Sequence, residues 1–136
     1  MKIMGLDYGD ARTGVAISDL LCTLVGSTTV LPSRNEEKLL LDIVRLTKEN
    51  GVGTIVVGLP RNMDGSYGYR CDACRRLGDL LSELTGLPVV YQDERLTTVL
   101  AYDLLSAGNV HGKKSKKQVD AVSASVILQS YLDSHR

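Results

Sequence analysis

Three acidic residues stand where an ordinary surface carboxylate is not expected: Asp7, Glu94 and Asp120. Asp7 falls near the end of a short apolar run, KIMGLDY, the pattern of a buried strand whose last residues reach a cleft. Glu94 follows a second such run, PVVYQD. Asp120 belongs to a helical pattern; at 100° per residue it lies about 20° from Ile127 and Tyr131, on the apolar face. A carboxylate there costs several kcal/mol unless it is paired or holds a cation. If the two strands run parallel, Asp7 and Glu94 emerge at one edge of the sheet, where open α/β sheets bind ligands. A divalent cation is the simplest neutraliser of three converging carboxylates. Oxygen donors without a supporting His or Cys set suit Mg2+ or Mn2+ rather than zinc. Two such ions, on the order of 4 Å apart, can activate a water and stabilise the leaving oxygen in phosphodiester hydrolysis. Singly, each carboxylate has an ordinary explanation: Asp7 caps a turn, Glu94 pairs with Arg95, Asp120 pairs with a lysine. All three at one edge favour the metal site. Asp93 adjoins Glu94, and a slip of one residue would make it the inward group instead.

Candidate phosphate contacts lie beside the carboxylates in the chain. Lys113, Lys114, Lys116 and Lys117 precede Asp120, and positive charge in a first helical turn works against the helix dipole. A solvated surface run is the ordinary explanation; contact with a nucleic-acid backbone is the functional one. Arg12, in the turn GDARTG, could hold a phosphate or pair with Asp10 or Asp19. Arg95 adjoins Glu94, and the loop GLPRNMDGS offers Asn62, Asp64 and Ser66 for substrate or for turn geometry. The glycines match neither a dinucleotide fingerprint nor a P-loop.

The elements that must position these residues can be read from hydrophobic periodicity. Strands are expected at 2–8, 14–18 and near 25–31, joined by turns short enough for antiparallel hairpins. Alternation of helix and strand follows. Asn35 is an N-cap, Leu40, Ile43, Val44 and Leu46 form a stripe, and Gly51 stops the helix. A strand is expected at 54–60, a helix at 67–85 with Leu77, Leu80, Leu81 and Leu84 inward, and a strand at 88–94. A third helix should start at Thr97 or Thr98 and end at Gly108. A polar loop over 109–117 and a last helix from about Lys116 to Leu132, capped by Ser115 and Gln118, complete the chain. The order β-β-β-α-β-α-β-α-α implies an α/β fold: a mixed five-stranded sheet with helices on both faces.

The bulk numbers agree with one such domain over 1–136. The 136 residues are 43% hydrophobic and 24% charged, with 16 basic and 16 acidic side chains, which excludes a generic polycation. No apolar run approaches the roughly 20 residues of a membrane span. The start meets an aspartate before a signal-peptide core could form, so a cytoplasmic address without membrane contact is expected. Cys71 and Cys74 make a lone C-x-x-C inside a helical pattern, with no second pair to complete a zinc site. Helix packing is their simplest role.

Four segments together resemble the YqgF (RuvX) family: GLDYGDARTGVAISD (5–19), IVVGLPRNMDGS (55–66), YQDERLTT (91–98) and VDAVSASVILQSYL (119–132). They span the chain in the family's order. The resemblance implies a ribonuclease H-like fold, with Asp7, Glu94 and Asp120 at the acidic catalytic positions. Such proteins are described as Holliday junction resolvases, by similarity to RuvC, and as nucleases processing the 5′ end of pre-16S ribosomal RNA. The resemblance therefore implies a Mg2+- or Mn2+-dependent nuclease acting on structured RNA, the small-subunit rRNA precursor, as a monomer or weak dimer. A resolvase of DNA junctions, which needs a two-fold dimer, and a non-catalytic RNA-binding assembly factor are the alternatives. Nucleotide-binding domains of the actin and sugar-kinase type share the fold but need two copies to enclose ATP.

Overall fold

The apolar run at the start of the chain forms β1 (Lys2–Tyr8), and Gly9 begins the return, where a Cβ would collide with the carbonyl oxygen of Arg12. The chain comes back antiparallel as β2 (Arg12–Ser18), with Asp7 opposite Gly14, and then as β3 (Val25–Pro32), with Arg12 opposite Pro32. These coordinates are a computed structural model that describes residues 1–59, 69–93 and 113–135; of residues 69, 70, 93 and 113–120 it gives the backbone alone.

Helix α1 (Glu36–Asn50) starts at Asn35, whose side chain accepts a hydrogen bond from the Lys38 amide at 3.1 Å, and stops at Gly51, φ 65°. Strand β4 (Val52–Leu59) runs parallel to β1. Helix α2 (Tyr69–Thr85) ends at Gly86, φ 72°, and β5 (Val89–Asp93) runs parallel to β4. The last helix, α3, covers Lys113–Ser134. The sheet order is β3-β2-β1-β4-β5, a mixed five-stranded sheet as expected. The helix expected between 97 and 108 lies outside the described residues.

Alternation along the strands divides the core in two. Met4, Leu6, Ile55, Val57 and Leu59 pack under α1 and α2 with Leu39, Ile43, Leu77 and Leu81. On the other face Ala16 meets Ala124, Leu128 and Leu132 of α3, with Ile3 and Val25 at the margin. Helices therefore cover both faces of the sheet. Gly5 shows how tight the second face is, since a Cβ there would stand 2.8 Å from the Cβ of Leu128. Among the described residues no helix is long and apolar enough to cross a membrane.

Three details differ from the sequence reading. Helix α3 begins at Lys113, so the lysine run is helical and Ser115 lies inside the helix rather than capping it. Lysine has good helix propensity and serine costs little, so nothing in KKSKK stops the helix from extending back. Leu84 is exposed, because the inward stripe of α2 is Cys71, Cys74, Leu77, Gly78 and Leu81. Leu39 and Thr47 flank Ile43 on the buried face of α1, where Leu40, Val44 and Leu46 are half-buried.

Candidate active site at one edge of the sheet

Strands β1, β4 and β5 share a direction, so Tyr8, Leu59 and Asp93 end at the same edge. The pairing register sets which side chains share a face. Leu6 aligns with Val57 and Val57 with Tyr91, all on the α1/α2 side. Asp7 comes one residue after Leu6 and belongs with Gly5 on the α3 side. Its partner across β2 is Gly14, buried and without a side chain, and the Asp7 carboxylate is half-buried. Position 93 aligns with Leu59 and falls in the α1/α2 row. Glu94 lies outside the described residues.

Two contacts orient α3 against this edge. Gly5 faces Ala124 and Leu128. Near the other end of the sheet, Gln129 accepts from the Val25 amide at 3.3 Å and donates to the Thr23 carbonyl at 3.0 Å. Val25 pairs with Ser18, whose hydroxyl accepts from the Ile3 amide at 2.8 Å. Later residues of α3 thus lie beside earlier residues of β1, and the two run antiparallel. Asp7 is two residues past Gly5, roughly 6.6 Å along the strand. Position 120 is one turn before Ala124, about 6 Å back along the helix. The two steps go the same way, so the backbones at 7 and 120 approach one edge.

The other expected site residues divide as follows. Arg12, half-buried, opens β2 at this edge. Its suggested partner Asp19 lies beyond the far end of β2, with its carboxylate accepting from the Thr23 amide and hydroxyl, each at 3.0 Å. These bonds, the amide foremost, hold the Asp19 carboxyl below its usual range. Pairing of Arg12 with Asp19 is thereby excluded. For Lys113, Lys114, Lys116 and Lys117 the backbone alone is described; Asn62, Asp64, Ser66 and Arg95 lie outside the described residues. Among the described residues no group of three or more His, Cys, Asp or Glu could hold a metal ion.

A feature the sequence reading passed over lies next to the expected carboxylate. The Tyr91 hydroxyl stands 3.1 Å from both the Asp79 carboxylate and the Arg75 carbonyl, sharing its one proton between these acceptors. It lies directly over Gly78, where a Cβ would collide with it. Burial, reinforced by Asp79, pushes the phenol up to about 12. The available signal was Gly78 itself, an isolated glycine inside a helical pattern.

Comparison with known proteins decides the family. The model of the RuvX family, described as Holliday junction resolvase, matches residues 1–134. A Bacillus cytotoxicus protein is 46% identical over 136 residues, 98% of this chain and 99% of its own length. The Enterococcus faecalis relative is 46% identical over 138 residues, covering 99% of each chain. The chain belongs to the RuvX family.

Each of those relatives has a name that describes a pre-16S rRNA nuclease, as does a Chloroflexus aggregans protein 43% identical over 134 residues, 98% of this chain and 94% of its own. Membership makes the chain a nuclease, a hydrolase of ester bonds in nucleic acid, as the sequence reading expected. Among solved structures, fowlpox virus resolvase with Holliday junction DNA superposes with TM-score 0.66 at 11% identity, covering 99% of both chains. Thermus thermophilus RuvC on a junction substrate gives 0.62 at 11%, covering 98% of this chain and 96% of its own. The RuvX chain has their ribonuclease H-like fold.

Proposed function

We propose that this RuvX protein is a Mg2+- or Mn2+-dependent ribonuclease that processes the 5′ end of the small-subunit ribosomal RNA precursor. Asp7, Glu94 and Asp120 are its metal-holding carboxylates. The observation that carries the reading is the antiparallel packing of α3 on β1, which favours a meeting of positions 7 and 120 at the edge where β5 ends. Position 93 falls in the row of Leu59, away from the face of Asp7, which favours Glu94 over Asp93 as the inward candidate. An all-oxygen set of this kind fits magnesium or manganese. Bound there, the metal supplies activation of the attacking water and stabilisation of the leaving oxygen. The chain's own part is to hold the carboxylates in place before substrate arrives and to seat the phosphate backbone. Arg12 and the lysines of α3 add charge for the flanking nucleotides, as Asn62, Ser66 and Arg95 add polar contacts.

The names of the relatives favour the RNA precursor; the family description favours a four-way DNA junction. Offering both substrates to the purified protein with Mn2+ separates them. The expected result is cleavage of 5′-extended precursor RNA, a loss of roughly 100-fold or more in Asp7→Asn, and an unchanged circular dichroism spectrum. Faster cleavage of the junction by a dimer would replace the RNA assignment. An unchanged rate in Asp7→Asn would remove that carboxylate from the site.

A further inference from the structure

We propose that Tyr91 is a positioning residue: its hydroxyl, seated on Gly78 between Asp79 and the Arg75 carbonyl, braces β5 against α2 and fixes where the chain delivers Glu94. The inference rests on the reading of Glu94 as a metal-holding carboxylate.

The need for a brace follows from topology. Among the described residues β5 covers Val89–Asp93 and pairs with β4 alone. The pairing of Leu59 with Asp93 is the last one among the described residues. Glu94 is the next residue in the chain after this strand. Tyr91 lies three residues before Glu94, and its hydroxyl reaches across to α2. Its hydroxyl ends against backbone and a carboxylate of α2, so the strand cannot slide without giving up the bond.

Gly78 is the other half of the device. It sits inside α2, where glycine costs about 1 kcal/mol relative to alanine, and its φ is not positive. Space explains it: a Cβ would collide with the Tyr91 hydroxyl and stand 2.9 Å from two ring carbons. The missing Cβ leaves the phenol room to approach the helix backbone. That geometry fixes the distance between strand and helix, not merely their contact.

The test compares Tyr91→Phe, Gly78→Ala, Asp79→Ala and Asp79→Asn, with Glu94→Gln as reference. Each is assayed for kcat and KM on the RNA substrate, for Mn2+ binding by electron paramagnetic resonance, and for folding by circular dichroism. Misplacement by about 1 Å costs on the order of 100-fold in rate. Tyr91→Phe is therefore expected to lower kcat by roughly 10-fold or more and to weaken Mn2+ binding several-fold, with KM within about twofold. Gly78→Ala should do the same although it makes α2 a better helix. Asp79→Ala should follow Tyr91→Phe, whereas Asp79→Asn, which keeps an acceptor oxygen, should retain most activity. Wild-type kcat and Mn2+ affinity in both Tyr91→Phe and Gly78→Ala, beside an inactive Glu94→Gln, would overturn the brace and leave the site reading standing. An active Glu94→Gln would overturn both.

Discussion

Asp7 and Tyr91 illustrate opposite ways in which one side chain serves this fold. Asp7 places a half-buried carboxylate one step beyond the fully buried Leu6 and opposite the backbone of Gly14. Tyr91 contributes stability through a phenol that resists ionisation, because it is partly desolvated and its proton is shared with the Asp79 carboxylate. The sign of the resulting pH dependence can be worked out. An unfolded tyrosine releases its proton near pH 10, whereas in the folded chain it does so at about 12. The contribution of Tyr91 is thus fully present below about pH 10 and is lost as pH rises from 10 towards 12. Solvent reaches part of the group and screens the effect, so a change of slope is expected rather than a separate transition. Thermal midpoints measured from pH 8 to 12 should fall less steeply in Tyr91→Phe than in wild type. Parallel curves would mean that the phenol is not held as described.

At the scale of elements, the position of α3 decides whether a carboxylate on it can join one on β1. The contact that sets this position is the approach of Leu128 to Gly5, so Gly5→Ala should lift the helix. A methyl there stands 2.8 Å from the Leu128 Cβ and 3.3 Å from the Ala124 carbonyl. Overpacking of this kind costs roughly 1–3 kcal/mol and should lower the thermal midpoint by several degrees. Cleavage at a temperature where the variant is still folded should fall by about 10-fold. Leu132→Ala is the control: it opens a cavity at the far end of the same helix and costs roughly 2–5 kcal/mol, but it should retain kcat. Equal loss of activity in both would tie the effect to stability alone. The same elements show what could be read in advance. Asn35, Gly51 and Gly86 stop or start helices by local backbone chemistry, and they stand where the pattern put them. The crossover order followed from alternating helix and strand, and Asp7 stood out because a charge interrupts an apolar run. What local pattern could not reveal is spatial. The registration of Gly5 on Ala124 and Leu128 joins residues more than a hundred positions apart. The Tyr91 brace depends on a hydroxyl reaching a helix 12 and 16 residues earlier in the chain. The start of α3 was misread because Ser115 with Gln118 is a valid cap sequence, yet lysines continue a helix as readily as they precede one.

Across the whole molecule, stability and the candidate site are separable. The two cores, under α1 and α2 on one face and under α3 on the other, are built from Met4, Leu6, Ile43, Ile55, Leu81 and Leu128 and owe nothing to Asp7. The proposed site instead belongs where strands β1, β4 and β5 end. On the proposed reading the carboxylates converge and repel one another when no metal is bound, so removing one of them should leave the free protein as stable as before or slightly more so. A cation that binds the folded state alone then stabilises it by mass action, about 2.7 kcal/mol when its concentration is 100 times the dissociation constant. For a domain of this size that corresponds to a rise of several degrees in the thermal midpoint. Titrating Mn2+ into wild type should raise the midpoint progressively, and excess EDTA should return it to the starting value. Asp7→Asn should begin at or above the wild-type midpoint and respond weakly to the metal. An equal Mn2+ response in the two proteins would place the cation away from the strand ends, and the loss of cleavage in Asp7→Asn would then need a cause other than metal binding.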